Sequence, residues 1–249
     1  MRHDYFDRRA FLALATAAAG LGLAAPLRAA GGPVLQASFI NKLPDYTTQA
    51  FRDWYETRHA PDFLSFAQPH LMRYARNFVT GSRLPNPGID VISEFGFRSP
   101  EAQAEVLRLM NTPAAERLKA PPRAIDKSLA VPIDERVAQG APRGYDPPGT
   151  RKLAVLLRRQ NDLPAGTVGG HAGALAGALA KRMGKDAARI TVAVAQPDQP
   201  APPAYDAMIT IWPVGRAIVP DGIAAPPDLE IAHVLELECH ETDLSGGKS

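Results

Sequence analysis

The order in which strand and helix patterns follow one another constrains the fold of this chain more than any other feature. Alternating apolar residues predict strands over 34–40, 71–79, 89–98 and 129–137, and helical patterns follow the first and third of them. Strand, helix, strand, strand, helix, strand is the order of a ferredoxin-like unit, whose helices cover one face of its sheet. The other face needs cover from a partner subunit or from a second copy.

The second half of the chain repeats this order in a degenerate form. An Ala-rich helix is predicted over 170–183, but the four prolines of 213–227 replace the second helix with an irregular or very short segment. The strands are predicted over 153–157, 189–195, 205–212 and 233–241. The halves also match locally, at His59 and His171 and at Asp90 and Asp206. Counting from these aspartates, Glu94 corresponds to Thr210, so the carboxylate is lost in the second copy. We therefore predict an α+β fold in which tandem ferredoxin-like units form one intramolecular, pseudo-dimeric α/β barrel.

This reading divides the chain into five segments. An export signal is predicted over 1–30, a first unit over 33–139, a linker over 140–150, a second unit over 151–243 and a tail over 244–249. The proposed linker contains three prolines and three glycines before Thr150. Arg151 with Lys152, and Arg158 with Arg159, flank the apolar run of the next strand and are interpreted as strand-end charges.

The first 30 residues have the features of an export signal. Arg8 and Arg9 precede an apolar, Ala-rich run, and small residues at Ala29 and Ala30 suit cleavage. The paired arginines resemble the twin-arginine type, although Asp7 stands where Ser or Thr is commoner. The run is short and weakly apolar for a spanning helix, so no permanent membrane anchor is expected. The predicted location is periplasmic or secreted; an uncleaved anchor or a disordered tail are the alternatives.

Charge and cysteine content exclude several classes of protein. The chain has 28 basic and 26 acidic residues. Residues 1–30 contain four of the basic and two of the acidic residues, which leaves 24 of each in the remainder. No basic stripe remains that would indicate a nucleic-acid partner. Cys239 is the only cysteine, so no internal disulfide can form and stability must come from the core.

The first predicted helix carries the best candidate for chemistry. Phe51, Tyr55, His59 and Phe63 recur every fourth residue, which places an imidazole among aromatic rings on one helix face. Thr47 or Thr48 can cap the start of this helix. Pro61 removes a backbone donor and biases the preceding residue away from helical dihedrals, so a kink or an end is expected beside His59.

The first half resembles the EthD family, part of the dimeric α/β-barrel group, over about residues 34–136. The matching residues are Phe51, Trp54, Tyr55, His59, Ala60, Pro61, Tyr74, Asn77, Asp90, Glu94, Phe95, Gly96, Phe97, 126–129 and 132–135. The resemblance implies two sheets packed face to face, with a small cavity between a sheet and the first helix. It also implies relatives that act on aromatic or polyketide-like compounds, without metal or organic cofactor, by dehydration, decarboxylation or oxygenation.

Three residues are the predicted catalytic set. His59 is the candidate general acid/base, and its alternative role is a buried imidazole bonded to a backbone carbonyl. Glu94 could orient the ring or polarise a substrate, or it could pair with Arg73 or Arg76 on the neighbouring strand. Tyr55 could hydrogen-bond a ligand oxygen, although packing alone would also explain it.

Four further residues are the predicted substrate-binding set: Trp54, Phe63, Tyr74 and Asn77. No metal site is predicted, because alternation along the last strand separates its potential ligands into two groups. The chain has no nucleophile elbow, phosphate loop or dinucleotide fingerprint.

Three functions remain open. The first is a cofactor-free lyase or dehydratase-like enzyme that acts on a small aromatic or hydrophobic compound, with His59 as acid/base. The second is a protein that binds such a compound without chemistry. The third is a haem or oxidant-handling barrel protein with His59 or His171 as axial ligand. The first predicts no cofactor, and all three are compatible with a monomer or a homodimer.

Overall fold

The computed structural model describes most of the chain beyond the predicted signal. The described residues are 32–84, 88–119, 124–160, 163–197, 203–216 and 224–244. The predicted export signal over 1–30 and residues 245–249 of the predicted tail lie outside them. Within these ranges, no helix is both long enough and apolar enough to cross a membrane.

The first half has the predicted order of elements. Its strands are β1 (Val34–Lys42), β2 (Leu71–Ser82), β3 (Val91–Phe97) and β4 (Ile125–Gln139). Its helices are α1 (Thr48–Trp54), a π-helical turn (Tyr55–His59), α2 (Ala60–Ala67), α3 (Pro100–Leu109) and α4 (Glu116–Lys119). Short 3-10 turns follow α2 (Gln68–His70) and α3 (Pro113–Ala115).

The second half has the same strands and a single long helix. The elements are β5 (Thr150–Arg159), α5 (Val168–Met183), β6 (Ala187–Ala195), β7 (Ala207–Pro213) and β8 (Leu229–Glu241). Short 3-10 turns flank α5 at Ala165–Thr167 and Gly184–Asp186. The described part of the proline-rich connection between β7 and β8 contains no helix, as expected from its prolines.

The eight strands form one closed antiparallel barrel in the order β1-β3-β2-β8-β5-β7-β6-β4. Each half contributes four consecutive strands, and the halves meet at two seams, β2 with β8 and β4 with β6. The predicted fold, tandem ferredoxin-like units closed into one α/β barrel, is confirmed.

A hydrogen-bond motif at the start of each third strand is the clearest mark of the internal repeat. The Asp90 carboxylate accepts a hydrogen bond from the backbone N–H of Lys42 at 2.8 Å. In the second half, the Asp206 carboxylate accepts from the backbone N–H of Arg159 at 2.9 Å. These are the two aspartates matched in the sequence, so the repeat extends to individual hydrogen bonds.

Alternate residues of each strand face either the helices or the lumen of the barrel. The outward face of the first half packs against α2 and α3, and that of the second half packs against α5. The lumen is apolar at one end, with Phe39, Ile92, Leu156, Met208 and Leu235 among its side chains. A small apolar cavity at this end, lined by β1, β4, β6, β7 and Tyr205, has room for about one water molecule.

The first helix passes through Pro61 without ending, and this corrects one expectation. Thr47 caps α1 as predicted, since its hydroxyl accepts from the backbone N–H of Ala50 at 3.1 Å. Ala60 has helical dihedrals (φ −66°, ψ −45°), so the predicted bias away from the helix at this residue is wrong. The distortion occurs one turn earlier, where the backbone N–H of Ala60 bonds to the carbonyl of Tyr55 in a π-helical turn. Because Pro61 has no backbone N–H, one helical hydrogen bond is absent at this point, and the wider turn accommodates its loss.

The segment between the halves enters the barrel at its polar end. Arg143 and Asp146 of this segment are buried, and the Asp146 backbone N–H donates to the Glu241 carboxylate at 2.9 Å. Gly140 has φ +84°, and a Cβ there would lie 2.4 Å from the Ala188 carbonyl oxygen, so only glycine fits. The residues predicted as a linker therefore contribute side chains to the core.

Lys152 corrects a second expectation. Its side chain is fully buried in the lumen, so it is not the strand-end charge that was predicted. Because Lys152 and Leu153 are adjacent on β5, they face opposite sides of the sheet, and Leu153 takes the helix side with the outer core.

Candidate functional site

The structure divides the predicted site residues between the two faces of the sheet. Tyr74 and Asn77 lie on β2 at odd spacing, so their side chains point in opposite directions. One group lies between the helices and the outward face of the sheet: Trp54, Tyr55, His59, Phe63 and Tyr74. The other two, Asn77 and Glu94, lie in the lumen and are bonded to each other at 2.9 Å. The seven residues therefore do not form a single pocket.

The outward group belongs to two neighbouring sets of rings, which together we call the aromatic layer. One set is Phe51, Trp54, Tyr55, His59 and Phe78, and the other is Phe63, Tyr74 and Phe95. The His59 ring centroid lies 4.5 Å from that of Tyr55 and 5.3 Å from that of Trp54. Tyr74 stacks on Phe95 at 5.0 Å. His59 and Trp54 are partly exposed at the edge of the layer, whereas Tyr55 and Tyr74 are fully buried. The layer can thus be reached from solvent at His59.

His59 is neutral at ordinary pH and lacks a partner at one nitrogen. Burial lowers the pKa of its imidazole to about 4 because removal from water disfavours the charged form. Its Nδ1 is buried and has no hydrogen-bond partner among the described residues. The predicted alternative was an imidazole bonded to a backbone carbonyl. Among the described residues, no backbone carbonyl bonds to His59 Nδ1. A neutral imidazole of this kind can accept or donate one hydrogen bond to a ligand.

The two buried tyrosines differ in how their hydroxyl groups are satisfied. The Tyr55 hydroxyl bonds to the Ser93 hydroxyl at 3.0 Å. The Tyr74 hydroxyl is buried and has no partner of good geometry in the described part of the chain. Burial raises the pKa of both phenols, and the neighbouring Tyr55 hydroxyl raises that of Tyr74 further. Both phenols therefore stay protonated at neutral pH and can donate.

Charged residues from both halves border the aromatic layer. The Arg76 guanidinium lies 4.8 Å from the Tyr74 ring centroid and pairs with the Glu56 carboxylate at 2.7 Å. It also donates to the Thr242 hydroxyl at 2.6 Å. Arg52 on α1 pairs with Glu238 of β8. The last strand of the second half therefore helps to hold the first helix in place.

The lumen group is an ionic cluster. Glu94 pairs with Arg143 of the segment between the halves, and its predicted partner Arg73 is 3.9 Å away. Burial opposes ionisation of Glu94, but the charges of Arg143, Lys152 and Arg73 outweigh it and lower its pKa to about 2. Asn77 bridges Glu94 to the Lys152 ammonium, which is 2.9 Å from its side-chain oxygen. Glu94 is thus an ionised structural partner with no contact to His59.

Three potential metal ligands also meet in the lumen. The ligand atoms of Asp146, Cys239 and Glu241 lie within 4.8 Å of one another. The Lys152 ammonium is already 2.9 Å from the Asp146 carboxylate, so a divalent metal ion would have to displace this ammonium group.

Several residues around these two sites escaped the sequence analysis. Ser93 lies in an otherwise apolar outward row of β3, and a lone hydroxyl among aromatic residues was an available signal. Glu56 and Thr242 gave no signal of their own, because their partner Arg76 is distant in sequence. Arg143 and Asp146 were hidden by the Pro and Gly content around them, which is typical of solvent-exposed turns.

Comparisons with known proteins support the fold alone. No protein-family model and no curated protein matches the chain. An anthrone oxidase-like protein aligns over 89% of this chain and 97% of its own, with TM-score 0.57 and 8% identity. A proposed monooxygenase from Lactobacillus acidophilus NCFM aligns over 84% and 94%, with TM-score 0.45 and 9% identity. A chlorite dismutase from Candidatus Nitrospira defluvii aligns over 86% and 93%, with TM-score 0.43 and 8% identity.

The likeness to the first of these structures agrees with a barrel of the dimeric α/β type. Membership of the EthD family, the export signal and the periplasmic or secreted location stay predictions.

Proposed function

We propose that this protein binds a small aromatic or hydrophobic compound at the aromatic layer and acts on it by proton transfer, with His59 as general acid/base. The observation that carries the proposal is a pair of buried polar atoms in the aromatic layer, His59 Nδ1 and the Tyr74 hydroxyl, that have no hydrogen-bond partner of good geometry among the described residues. Buried polar groups are normally hydrogen-bonded, so unpartnered ones call for a ligand or water. Surrounding rings suit a flat apolar molecule that carries an oxygen.

The chemistry proposed needs only groups of the chain. A compound with an acidic C–H beside a carbonyl would transfer that proton to the neutral imidazole, while a phenol such as that of Tyr74 would donate to the carbonyl oxygen as negative charge develops there. Reprotonation by the imidazolium at another position would complete an isomerisation. In a dehydration, the enolate would instead form a C=C bond and break the C–O bond of a neighbouring hydroxyl, which would leave as water after taking the proton from the imidazolium. No organic cofactor is required for either step.

A binding function without chemistry is the second candidate, and one observation favours it. The pKa of about 4 makes His59 a weak base at neutral pH, since efficient general bases have a pKa near the working pH. A bound ligand that develops negative charge would raise this pKa and so offset the deficit. The two candidates therefore differ in whether proton transfer is observed.

Anthrone is a suitable probe, because the described fold resembles that of an anthrone oxidase-like protein and because its methylene protons exchange by enolisation. Deuterium incorporation at this methylene would be followed by NMR in deuterated buffer under nitrogen. We expect the wild type to accelerate exchange and His59→Ala to lose a factor of about 100 or more of that acceleration. His70→Ala, which removes another partly exposed imidazole, is the matched control and should match the wild type.

Three outcomes decide between the candidates. Loss of exchange with retained anthrone binding in His59→Ala supports the catalytic role. Binding by the wild type without accelerated exchange supports the binding protein. A Soret band in the absorption spectrum of the purified protein would contradict a cofactor-free mechanism and favour haem.

A further inference from the structure

The polar end of the lumen contains a site built for an anion, on the opposite face of the sheet from the aromatic layer. Four donors surround the Asp146 carboxylate: Arg189 Nη2 at 2.8 Å, Lys152 Nζ at 2.9 Å, Trp212 Nε1 at 3.0 Å and Arg143 Nε at 3.3 Å. The charged groups also surround the Trp212 ring, at 3.8 Å for Arg189, 5.1 Å for Lys152 and 5.3 Å for Arg143. Such a convergence of donors is the arrangement that proteins use to bind carboxylates.

Asp146 is an incomplete ligand for these donors. Its Oδ1 accepts directed hydrogen bonds from Arg189 and Trp212. Its Oδ2 lies 2.9 Å from Lys152 Nζ and 3.3 Å from Arg143 Nε. Arg143 Nη2 and Arg189 Nε are buried and have no partner among the described residues. The site therefore offers more donors than its resident carboxylate uses.

The carboxylate comes from the chain segment that joins the two halves. The backbone of this segment has glycines at positive φ on both sides of Asp146, at Gly140 (φ 84°) and Gly149 (φ 86°). Its other ties to the barrel include the Asp146 N–H to Glu241 at 2.9 Å and the Gly149 N–H to the Cys239 carbonyl at 2.9 Å. Arg143 also pairs with Glu94 and Glu135. Asp146 thus reaches the donors as a side chain on a connection, and not from a strand of the barrel.

Charge balance shows what the donors require. The cluster contains four cations (Arg73, Arg143, Lys152, Arg189) and four carboxylates (Glu94, Glu135, Asp146, Glu241). Without Asp146, one buried positive charge would be uncompensated, and an unpaired buried charge is strongly destabilising. A bound monovalent anion restores neutrality, whereas a divalent cation would increase the imbalance.

We propose that the polar end of the lumen is a binding site for a small monocarboxylate, and that Asp146 of the connection between the halves occupies this site as an internal competitor. A monocarboxylate that enters when the residues around Asp146 move outward, while Arg143 keeps its ion pair with Glu94, takes the position of the Asp146 carboxylate between Lys152, Arg189 and Trp212. The site is independent of the proton-transfer function proposed for the aromatic layer.

The test uses the full chain and sodium formate, with sodium chloride at equal ionic strength as the salt control. Asp146→Ala empties the ligand position, and we expect formate to raise the midpoint of its thermal unfolding by about 2–4 °C above the chloride value. Asp206→Ala removes another buried aspartate, one that pairs with Arg159 outside the cluster, and serves as the matched control. The wild type and Asp206→Ala should show no such difference.

Binding measured by calorimetry supplies the second criterion. Formate should bind Asp146→Ala at least about tenfold more tightly than the wild type, where Asp146 competes. Equal formate affinity of the wild type and Asp146→Ala would overturn the proposal. Equal stabilisation by formate of the wild type, Asp146→Ala and Asp206→Ala would overturn it as well. If Asp146→Ala does not fold in chloride, recovery of folded protein in formate alone supports the site. If Asp146→Ala folds in neither salt, the thermal and calorimetric measurements are made on Asp146→Asn, whose neutral side chain retains the shape of aspartate. The same two criteria then apply to that variant.

Discussion

At the scale of single residues, the low pKa of His59 links the candidate site to stability. The imidazole is partly exposed at its edge, yet burial lowers its pKa to about 4. An unfolded chain protonates histidine near its ordinary value of 6.5. The unfolded state therefore binds more protons than the folded state between these two values, and stability must fall as pH falls through this window.

This linkage gives a prediction for His59→Gln. The wild type should lose about 2 kcal/mol of unfolding free energy at pH 4.5 relative to pH 7 through this residue alone. The variant should lack that component, so its stability should fall less on acidification. Urea unfolding at the two pH values measures the difference, with His70→Gln as the control. Parallel pH dependences for His59→Gln and the wild type would contradict the assigned pKa.

At the scale of elements, the π-helical turn explains how one helix presents four rings at four-residue spacing. An α-helix turns once in about 3.6 residues, so each step of four residues overshoots a full turn by about 40°. Phe51, Tyr55, His59 and Phe63 would then rotate by about 120° along the helix. The wider turn of Tyr55–His59 takes up part of this drift. The sequence contained an available signal of this turn. Its rings are spaced by four residues throughout, whereas a regular α-helix would place them at a mixture of three and four.

Deletion of Thr57 tests this role of the π-turn. Thr57 is exposed, and its hydroxyl contacts only the carbonyl of Asp53 in the same helix. Removing the residue should convert the turn to α-helix and leave Phe63 on the same face as Phe51, because the 11 residues that then separate them cover about three α-helical turns. The cost in unfolding free energy should therefore stay below about 2 kcal/mol. Thr57→Ala keeps the backbone intact and should cost less than about 1 kcal/mol. A cost above about 3 kcal/mol for the deletion in denaturant titrations would show that the turn does not take up the drift.

At the scale of the whole molecule, the ionic cluster connects both halves and the segment between them. Glu94 belongs to the first half, Arg143 to the connection and Lys152 to the second half. Removal of one charge from such a buried group leaves its partners uncompensated.

We therefore expect Glu94→Gln to lose about 3–5 kcal/mol of unfolding free energy at pH 7. Because the pKa of Glu94 is lowered to about 2, this contribution should persist above the ordinary value of 4.5 and disappear as pH falls towards 2. Glu105→Gln, which breaks an exposed pair with Arg108, should leave stability nearly unchanged, because solvent screens an exposed ion pair. Equal effects of the two variants in urea unfolding would contradict the structural role of the cluster.

Much of the fold could be predicted from the sequence, because strands and helices leave local periodic signals. The alternation in β2 and β3 was even sufficient to show that Tyr74 and Asn77 face opposite ways, and that Glu94 faces away from Ser93. The ionic cluster could not be predicted, because it joins residues far apart in the chain. Arg143 and Asp146 lie in a Pro- and Gly-rich segment, and nothing local indicates that such a segment enters a barrel.

The distribution of charge within the lumen makes the two halves unequal partners. The first half contributes Arg73 against Glu94 and Glu135, which leaves one negative charge, and the second half contributes Lys152 and Arg189 against Glu241, which leaves one positive charge. Two copies of either half would bury unbalanced charge if they closed the same barrel. Each half is therefore the counter-ion of the other, and neither half could pair with a second copy of itself without burying net charge.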